Sequence, residues 1–169
     1  MNRRTFLHSA SAASGVVAAG AAGADVTPGS HLDVARQVIL AWRRKDLDAV
    51  FGHIHDDIAW HSHVGSPPIV GKAAMREFAT GLTAQMKEVR WRLFEAAESG
   101  DRLHVEGVDD FDTPDGRQVV VPYAGVFAFR DARIVEWRDY FDRALFDRLK
   151  AGEPLPAYLE ALTRRPALF

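Results

Sequence analysis

The apolar residues in the first part of the chain recur at helical spacing. From Ser30, a suitable N-cap, apolar side chains fall three or four residues apart, which predicts an amphipathic helix over 30–43. A second, short helix is predicted after Asp46, and similar spacing predicts a third helix over 71–87. Between the second and third helices, the segment DDIAWHSHV at 56–64 predicts a strand.

From Val89 onward the apolar period changes to two. Four strands are predicted, over 89–98, 102–111, 117–129 and 133–141. The short segments between them have the composition of hairpin turns. This order of elements is typical of an α+β fold, in which a curved antiparallel sheet wraps around the N-terminal helices into a cone with an internal pocket. One domain is expected over 31–150, followed by a C-terminal helix or ordered tail over 151–169.

The first 24 residues have the pattern of a secretion signal. A basic start precedes a long Ala/Gly/Val segment, and small residues precede Asp25. The run Arg3–Leu7, RRTFL, resembles a twin-arginine signal, which predicts export to the periplasm and cleavage after Ala24. Residues 25–30 then form a linker, and no membrane span is expected after signal removal. The alternative is an N-terminal tail with a chance arginine pair.

Composition narrows the classes of function. The chain has 169 residues, of which 47% are hydrophobic and 26% charged, as in a soluble globular domain. A net charge of -2 provides no basic field, so no nucleic-acid partner is expected. The absence of cysteine excludes disulfides, thiolate nucleophiles and cysteine metal sites.

Two predicted strands each carry one aspartate in an apolar row, because residues two apart in a strand share a face. The first row contains Leu103, Val105, Gly107 and Asp109. The second contains Val135, Trp137, Asp139 and Phe141. We therefore expect Asp109 and Asp139 to face the pocket, with Trp137 beside them and Tyr123 adding a phenol to the wall. The alternative is that Asp109 ends its strand near solvent and Asp139 pairs structurally with an arginine.

Two carboxyls in one apolar cavity cannot easily both be ionised. Desolvation and mutual repulsion raise one pKa and leave the other low. The expected result is a general acid beside a general base, with Asp109 and Asp139 as the candidate catalytic residues. Such a pair needs neither a nucleophile nor a cofactor, and none is expected.

Four histidines fall in the segment HIHDDIAWHSH, as two H-x-H pairs. His53 and His55 close a predicted helix, where residues two apart do not face each other. His61 and His63 are predicted to share a strand face, so only they could converge on a metal. The other interpretations are a pair at the pocket rim, or one histidine that hydrogen-bonds a pocket aspartate. We expect no metal site.

Three segments resemble the nuclear-transport-factor-2-like superfamily, and within it the SnoaL-like and limonene-epoxide-hydrolase-like enzymes. They are RKDLDAVFGHIHDDIAWHS, the VGK before the third helix, and GVFAFRDARIVEWRDYFD. The resemblance covers about residues 32–146. It implies a cone of curved antiparallel sheet closed by helices, often dimeric, and we expect a homodimer that binds a small apolar molecule.

In the epoxide hydrolase branch, an Asp-Arg-Asp triad lies in a deep pocket, where one aspartate takes a proton from water and the other protonates the epoxide oxygen. The resemblance places these aspartates on Asp139 and Asp109. Gly107 occupies the position of the bridging arginine, where it would leave room for a histidine or for a larger substrate.

The branch also has a tyrosine and an asparagine that hold the water. Alignment from the acids of DDIAWHS places them on Trp60 and Ser62, whereas alignment backwards from Gly71 places them on His61 and His63. These four residues, together with Tyr123 and Trp137, are the expected substrate- or water-binding positions.

The leading functional hypothesis from the sequence is epoxide hydrolysis to a diol by this aspartate pair. The first alternative is isomerisation, cyclisation or dehydration of a carbonyl compound, as in SnoaL-like and ketosteroid-isomerase-like relatives. The second is a non-catalytic protein that binds small ligands.

Overall fold

A computed structural model describes residues 29–169 of the protein. The expected twin-arginine signal over 1–24 lies outside the described residues, as does most of the linker at 25–30. Among the residues described, no helix is long and apolar enough to cross a membrane.

The architecture is α+β, with one curled sheet and helices packed against it, which confirms the predicted fold class. The helices are α1 (His31–Arg43), α2 (Leu47–Gly52), α3 (Lys72–Ala84), α4 (Arg143–Ala151) and α5 (Ala157–Leu162). The strands are β1 (Ile54–His61), β2 (Ile69–Val70), β3 (Glu88–Val89), β4 (Arg92–Ser99), β5 (Arg102–Asp112), β6 (Gln118–Arg130) and β7 (Arg133–Phe141).

Hydrogen bonds join the strands in the order β2-β1-β7-β6-β5-β3, and β4 also pairs with β5. The β1–β7 pair is parallel and the other pairs are antiparallel. The long strands β5, β6 and β7 form the meander that the alternating sequence predicted, because a period of two gives each strand one buried face.

Helix α1 lies against the sheet and carries much of the core. Ser30 caps it by accepting a hydrogen bond of 3.1 Å from the Asp33 amide. Val38, Ile39 and Trp42 on its apolar face are fully buried. Burial of side chains of this size contributes about 1.5–3 kcal/mol each, so this face fixes the helix on the sheet.

Several predicted boundaries differ from the observed ones. The short second helix ends at Gly52, and β1 begins at Ile54, two residues before the predicted strand start at 56. The third helix ends at Ala84 rather than 87. The strand predicted over 89–98 is split into β3 and β4, which both pair with β5.

Helix α4 was not predicted from the sequence, although its signals are present. Asp142 caps it by accepting a hydrogen bond from the Leu145 amide, and Gly152 ends it with φ 99°. Leu145 and Leu149, four residues apart, bury their side chains against the rest of the fold. The helix packs against β6 and closes one side of the cone.

The C-terminal residues pack against the rest of the fold. Leu159 of α5 is fully buried, and the Leu168 amide donates to the Leu93 carbonyl at 2.8 Å. The Phe169 carbonyl accepts a hydrogen bond of 2.8 Å from Arg43 of α1.

Candidate active site

A cavity of about 710 Å³ opens between the sheet, α3 and α4. Its volume is in the range of pockets that enclose drug-sized ligands. The strands contribute its inner end, with the side chains of Trp60, Asp109, Tyr123, Trp137 and Asp139. Exposed and half-buried residues of α3 and α4 form its rim, among them Glu77, Phe78, Gln85, Arg143 and Lys150.

The sheet register places Tyr123 between the two aspartates. On one side of β6, Asp109 pairs with Val121. On the other side, Asp139 pairs with Gly125. Each aspartate is thus two residues away from Tyr123 along β6, in opposite directions. Since cross-strand partners and residues two apart share a face, all three side chains point into the cavity.

Asp139 is held by two tryptophans. Trp137 Nε1 donates to Oδ1 at 2.7 Å, and Trp60 Nε1 donates to Oδ2 at 3.2 Å. Burial raises the pKa of Asp139 to about 7, while the two indole hydrogen bonds oppose that rise. Because the indoles are neutral, they orient the carboxylate without the large fall in pKa that a nearby cation would cause.

The pKa of the second carboxyl, Asp109, is also raised well above its ordinary value, first by burial and then by the charge of Asp139. Both carboxyls keep some accessible surface because they line the cavity, but protein surrounds them on their other sides. Since two carboxylates in one cavity repel each other, ionisation of either carboxyl opposes ionisation of the other. The pair therefore loses its two protons in separate steps, and between these steps one ionised carboxylate lies beside one protonated carboxyl.

Tyr123 provides a third polar group. Burial, followed by the charges on Asp109 and Asp139, raises the pKa of its phenol well above its ordinary value, against a smaller opposite effect of Arg43. The phenol therefore keeps its proton near neutral pH and can donate a hydrogen bond. Its ring lies close to Gly107 and Gly125, two positions that have no side chain to displace it.

Gly107 does not leave free space, contrary to the expectation from the sequence. A Cβ atom at this position would overlap the Arg92 carbonyl oxygen and would lie 3.0 Å from Tyr123 Cε1 and 3.1 Å from Leu93 Cδ2. The backbone of β4 and the tyrosine ring therefore fill the position that the resemblance gives to an arginine. There is no room there for a histidine or for a larger substrate.

The two alternative pairs of substrate- or water-binding residues, Trp60 with Ser62 and His61 with His63, lie at the end of β1 and just after it. Trp60 is buried and lines the cavity, and so does Ser62. His61 pairs with Arg138 across the parallel β1–β7 ladder and is not among the cavity-lining residues. His63 does line the cavity, with its ring centre 4.9 Å from that of Phe141.

The expectation that His61 and His63 share a face fails because β1 ends at His61, and strand alternation does not extend past that residue. Within residues 29–169, no three His, Cys, Asp or Glu side chains are grouped so that they could hold a metal ion.

Sequence reasoning missed two parts of the site. Trp60 and Trp137 were expected to contact substrate or water, but they hold Asp139 in place. The two indoles reach the same carboxyl because the strand register places Trp60 opposite Trp137 on adjacent strands. The rim residues of α4, among them Arg143 and Lys150, were missed because the helix itself was missed.

Comparisons with known proteins agree with this fold. The family model of the SnoaL-like domain matches residues 35–137, more than half of the chain. An LEH-like epoxide hydrolase from M. tuberculosis has a TM-score of 0.63 and 22% identity, over 70% of this chain and 87% of that chain. A protein described as a SnoaL-like polyketide cyclase from Shewanella denitrificans OS-217 has a TM-score of 0.66 and 13% identity, over 73% and 98%.

A third similar structure is TerC, co-crystallised with polyporic acid, with a TM-score of 0.65 and 21% identity over 72% of this chain and 98% of that chain. At these identities the structural likeness concerns the fold, and the family assignment follows from the match to the family model. This chain belongs to the SnoaL-like domain family.

Proposed function

We propose that the protein is a cofactor-independent enzyme that transfers a proton at a carbon next to a carbonyl group of a small apolar substrate. The reaction class is isomerisation or cyclisation through an enolate. One observation carries the proposal. Asp139, with a pKa of about 7, accepts hydrogen bonds from two neutral indoles and lies beside Asp109 and Tyr123, two groups whose pKa values are raised well above their ordinary values.

Asp139 is the proposed base. A base is most effective when its pKa lies near the working pH, because it is then both available and strong enough to take the proton. In the first step a carboxylate oxygen of Asp139 takes a proton from the carbon next to the carbonyl. The electrons of that C–H bond form the carbon–carbon double bond of the enolate, and the carbonyl oxygen gains the negative charge.

Asp109 and Tyr123 are the proposed donors to that oxygen. A protonated carboxyl and a phenol can each donate a hydrogen bond to the developing oxyanion, and a water-poor cavity strengthens such bonds. Ketosteroid isomerase uses this combination, a tyrosine with a neutral aspartic acid opposite an aspartate base. In the isomerisation, Asp139 then returns the proton to another carbon of the conjugated enolate, and the first carbonyl forms again. In the cyclisation, the enolate carbon bonds to a second carbonyl carbon of the same molecule, the π bond of that carbonyl breaks, and its oxygen takes the proton from Asp139.

Epoxide hydrolysis is the second candidate, favoured by the same split between a protonated Asp109 and a basic Asp139. Asp109 would protonate the epoxide oxygen while Asp139 takes a proton from the attacking water. It ranks second because the position of the family's bridging arginine is Gly107, where no side chain fits. Among the described residues that line the cavity, the cations are Arg143 and Lys150 on α4, at the rim rather than between the aspartates.

The experiment is a substrate panel in isotopically labelled water. For ketones and enones, NMR in deuterium oxide should show enzyme-dependent deuterium at the carbon next to the carbonyl. Asp139→Asn should abolish this exchange, whereas Asp101→Asn, in an exposed turn, should not change it. For epoxides, a diol that carries label from heavy-oxygen water would favour the second candidate. Absence of both reactions across the panel would contradict an enzymatic role.

A further inference from the structure

The rim of the cavity carries two cations on one face of α4. Arg143 and Lys150 both line the cavity and are seven residues apart, which is two helical turns. Phe146 lies between them and also lines the cavity. Its ring centre is 5.6 Å from the Arg143 guanidinium carbon and 5.4 Å from the Lys150 ammonium. An aromatic surface is therefore flanked by two positive charges at the opening.

Lys150 keeps capacity for an anion. It is half-buried, and its ammonium donates to Gln85 Oε1 at 3.1 Å, a neutral acceptor at the end of α3. Within residues 29–169, no carboxylate forms an ion pair with Lys150. A partly desolvated ammonium with only a neutral partner gains from an additional, charged acceptor.

Arg143 is not placed where it would stabilise its helix. It is the first residue of α4, at the positive end of the helix dipole, where a cation is unfavourable. Its partner Asp147 lies at 2.9 Å, but both side chains are more than half exposed, and such pairs contribute little. Glu77 on α3 is the carboxylate at the rim among the described cavity-lining residues, so the α4 side is the positive side.

We infer that the substrate is an amphiphilic acid: an apolar, ring-containing body that carries a carboxylate. The body occupies the cavity, and the carboxylate lies at the rim, on the side of Arg143 and Lys150. This inference rests on the proposed function in one respect, that the reactive end of the body points to Asp139. Arg143 and Lys150 therefore select the substrate by its charge and take no part in proton transfer.

A binding comparison tests the inference without turnover. Naphthylacetate and its neutral amide, naphthylacetamide, share a ring body and differ in charge. Isothermal titration calorimetry at pH 8 and low salt should give tighter binding of the acid by about tenfold, as expected for charge-assisted bonds in a partly exposed site. The preference should vanish in the Arg143→Gln/Lys150→Gln double variant, while affinity for the amide stays within about twofold.

Arg148→Gln is the matched control. Arg148 lies on the same helix but pairs with Glu153 at 3.5 Å and does not line the cavity. Its loss should leave the preference unchanged. Equal affinity for the two ligands, a preference that survives in the double variant, or an equal loss in Arg148→Gln overturns the inference, as does failure of naphthylacetate to bind at millimolar concentration.

The same titration on Asp139→Asn separates this inference from the proposed function. The acid preference should persist there, because Asp139 lies at the other end of the cavity. If the preference persists while Asp139→Asn keeps full turnover, the proton-transfer proposal fails and the rim assignment stands.

Discussion

Asp109 and Asp110 are neighbours on β5, yet they have opposite surroundings. Asp109 faces the cavity, beside Tyr123 and across from Asp139. Asp110 points to the other face of the strand and is 1% exposed. Its Oδ1 accepts hydrogen bonds from Arg90 at 2.9 and 3.2 Å and from Gln118 at 3.0 Å.

The difference is one of charge compensation. Arg90 pairs with Asp110, Asp112 and Glu88. Its hydrogen bonds to Asp112 and, next, to Asp110 raise the pKa of Arg90, and the bond from Arg90 lowers the pKa of Asp112. A buried charge is tolerated when it is paired and hydrogen-bonded. At the inner end of the cavity two indoles donate to Asp139, and among the described residues no arginine or lysine forms an ion pair with Asp109 or Asp139. One face of β5 thus carries a structural ion network, and the other carries carboxyls whose pKa values suit proton transfer.

The largest expected effect is on turnover. Asp139→Asn removes the proposed base and should lower kcat/KM for the substrate by about 10³-fold, within the usual range for general base removal. Circular dichroism and thermal unfolding should show an intact fold. Turnover within threefold of the wild-type value would rule out Asp139 as the base.

Substitutions of the two neighbouring aspartates should have clearly different effects on the free energy of unfolding. Asp110→Asn leaves Arg90 with less compensation in a buried site and should lower the free energy of unfolding by about 3 kcal/mol. Asp109→Asn removes a carboxyl whose pKa is raised on folding and whose ionisation favours the unfolded state at pH 7, so this variant should be at least as stable as the wild type. Urea unfolding of both variants measures the contrast, and equal destabilisation would contradict it.

Sequence alternation could predict which side of each strand carries Asp109, Asp110 and Asp139, because that depends only on local backbone geometry. It failed at His61 and His63, because a strand end is set by tertiary pairing that the segment itself does not encode. The surroundings of Gly107 could not be predicted either, because they depend on the β4 backbone packed across it and on the Tyr123 ring from β6.

The two tryptophans that donate to Asp139 show the same limit of prediction from sequence. Trp137 lies two residues from Asp139, so the sequence placed them on one face. Trp60 is 79 residues and one strand away from Asp139, and only the parallel β1–β7 register brings its indole to the carboxylate. Helix α4 was a different kind of failure, because its cap and its pair of buried leucines were readable from the sequence.

The pH dependence of activity and of stability should both reveal the raised pKa of Asp139. Because Asp139 must be ionised to act, kcat/KM should fall about tenfold for each pH unit below about 7 and level off above it. The folded state also binds a proton here that the unfolded state has released, so stability should decrease as pH rises from about 4 to about 7. The total decrease is up to about 4 kcal/mol, from the shift between 3.8 and about 7.

Asp139→Asn should lack that part of the stability loss, whereas Asp101→Asn should keep it. Thermal unfolding from pH 5 to pH 8 gives both curves. Parallel curves for the wild type and Asp139→Asn would show that the carboxyl titrates at an ordinary pKa.

The smallest expected effect concerns the indole donors. Trp137→Phe removes the shorter hydrogen bond to Asp139, so the pKa of Asp139 should rise above about 7 and the midpoint of the pH–rate profile should move to higher pH. Turnover at pH 6 should fall several-fold while turnover at pH 9 changes less. Trp60→Phe, which removes the longer bond, should move the midpoint less. A midpoint that moves to lower pH would contradict the assigned role of these indoles.

The most direct test is a carbon-13 NMR titration of the aspartate carboxyls, assigned with the Asp109→Asn and Asp139→Asn variants. We predict that the Asp139 carboxyl titrates near pH 7 and that Asp109 titrates at higher pH, with the Asp109 resonance still protonated when Asp139 is half ionised. Titration of both carboxyls near pH 4, the ordinary value for aspartate, would contradict the proposed acid–base pair.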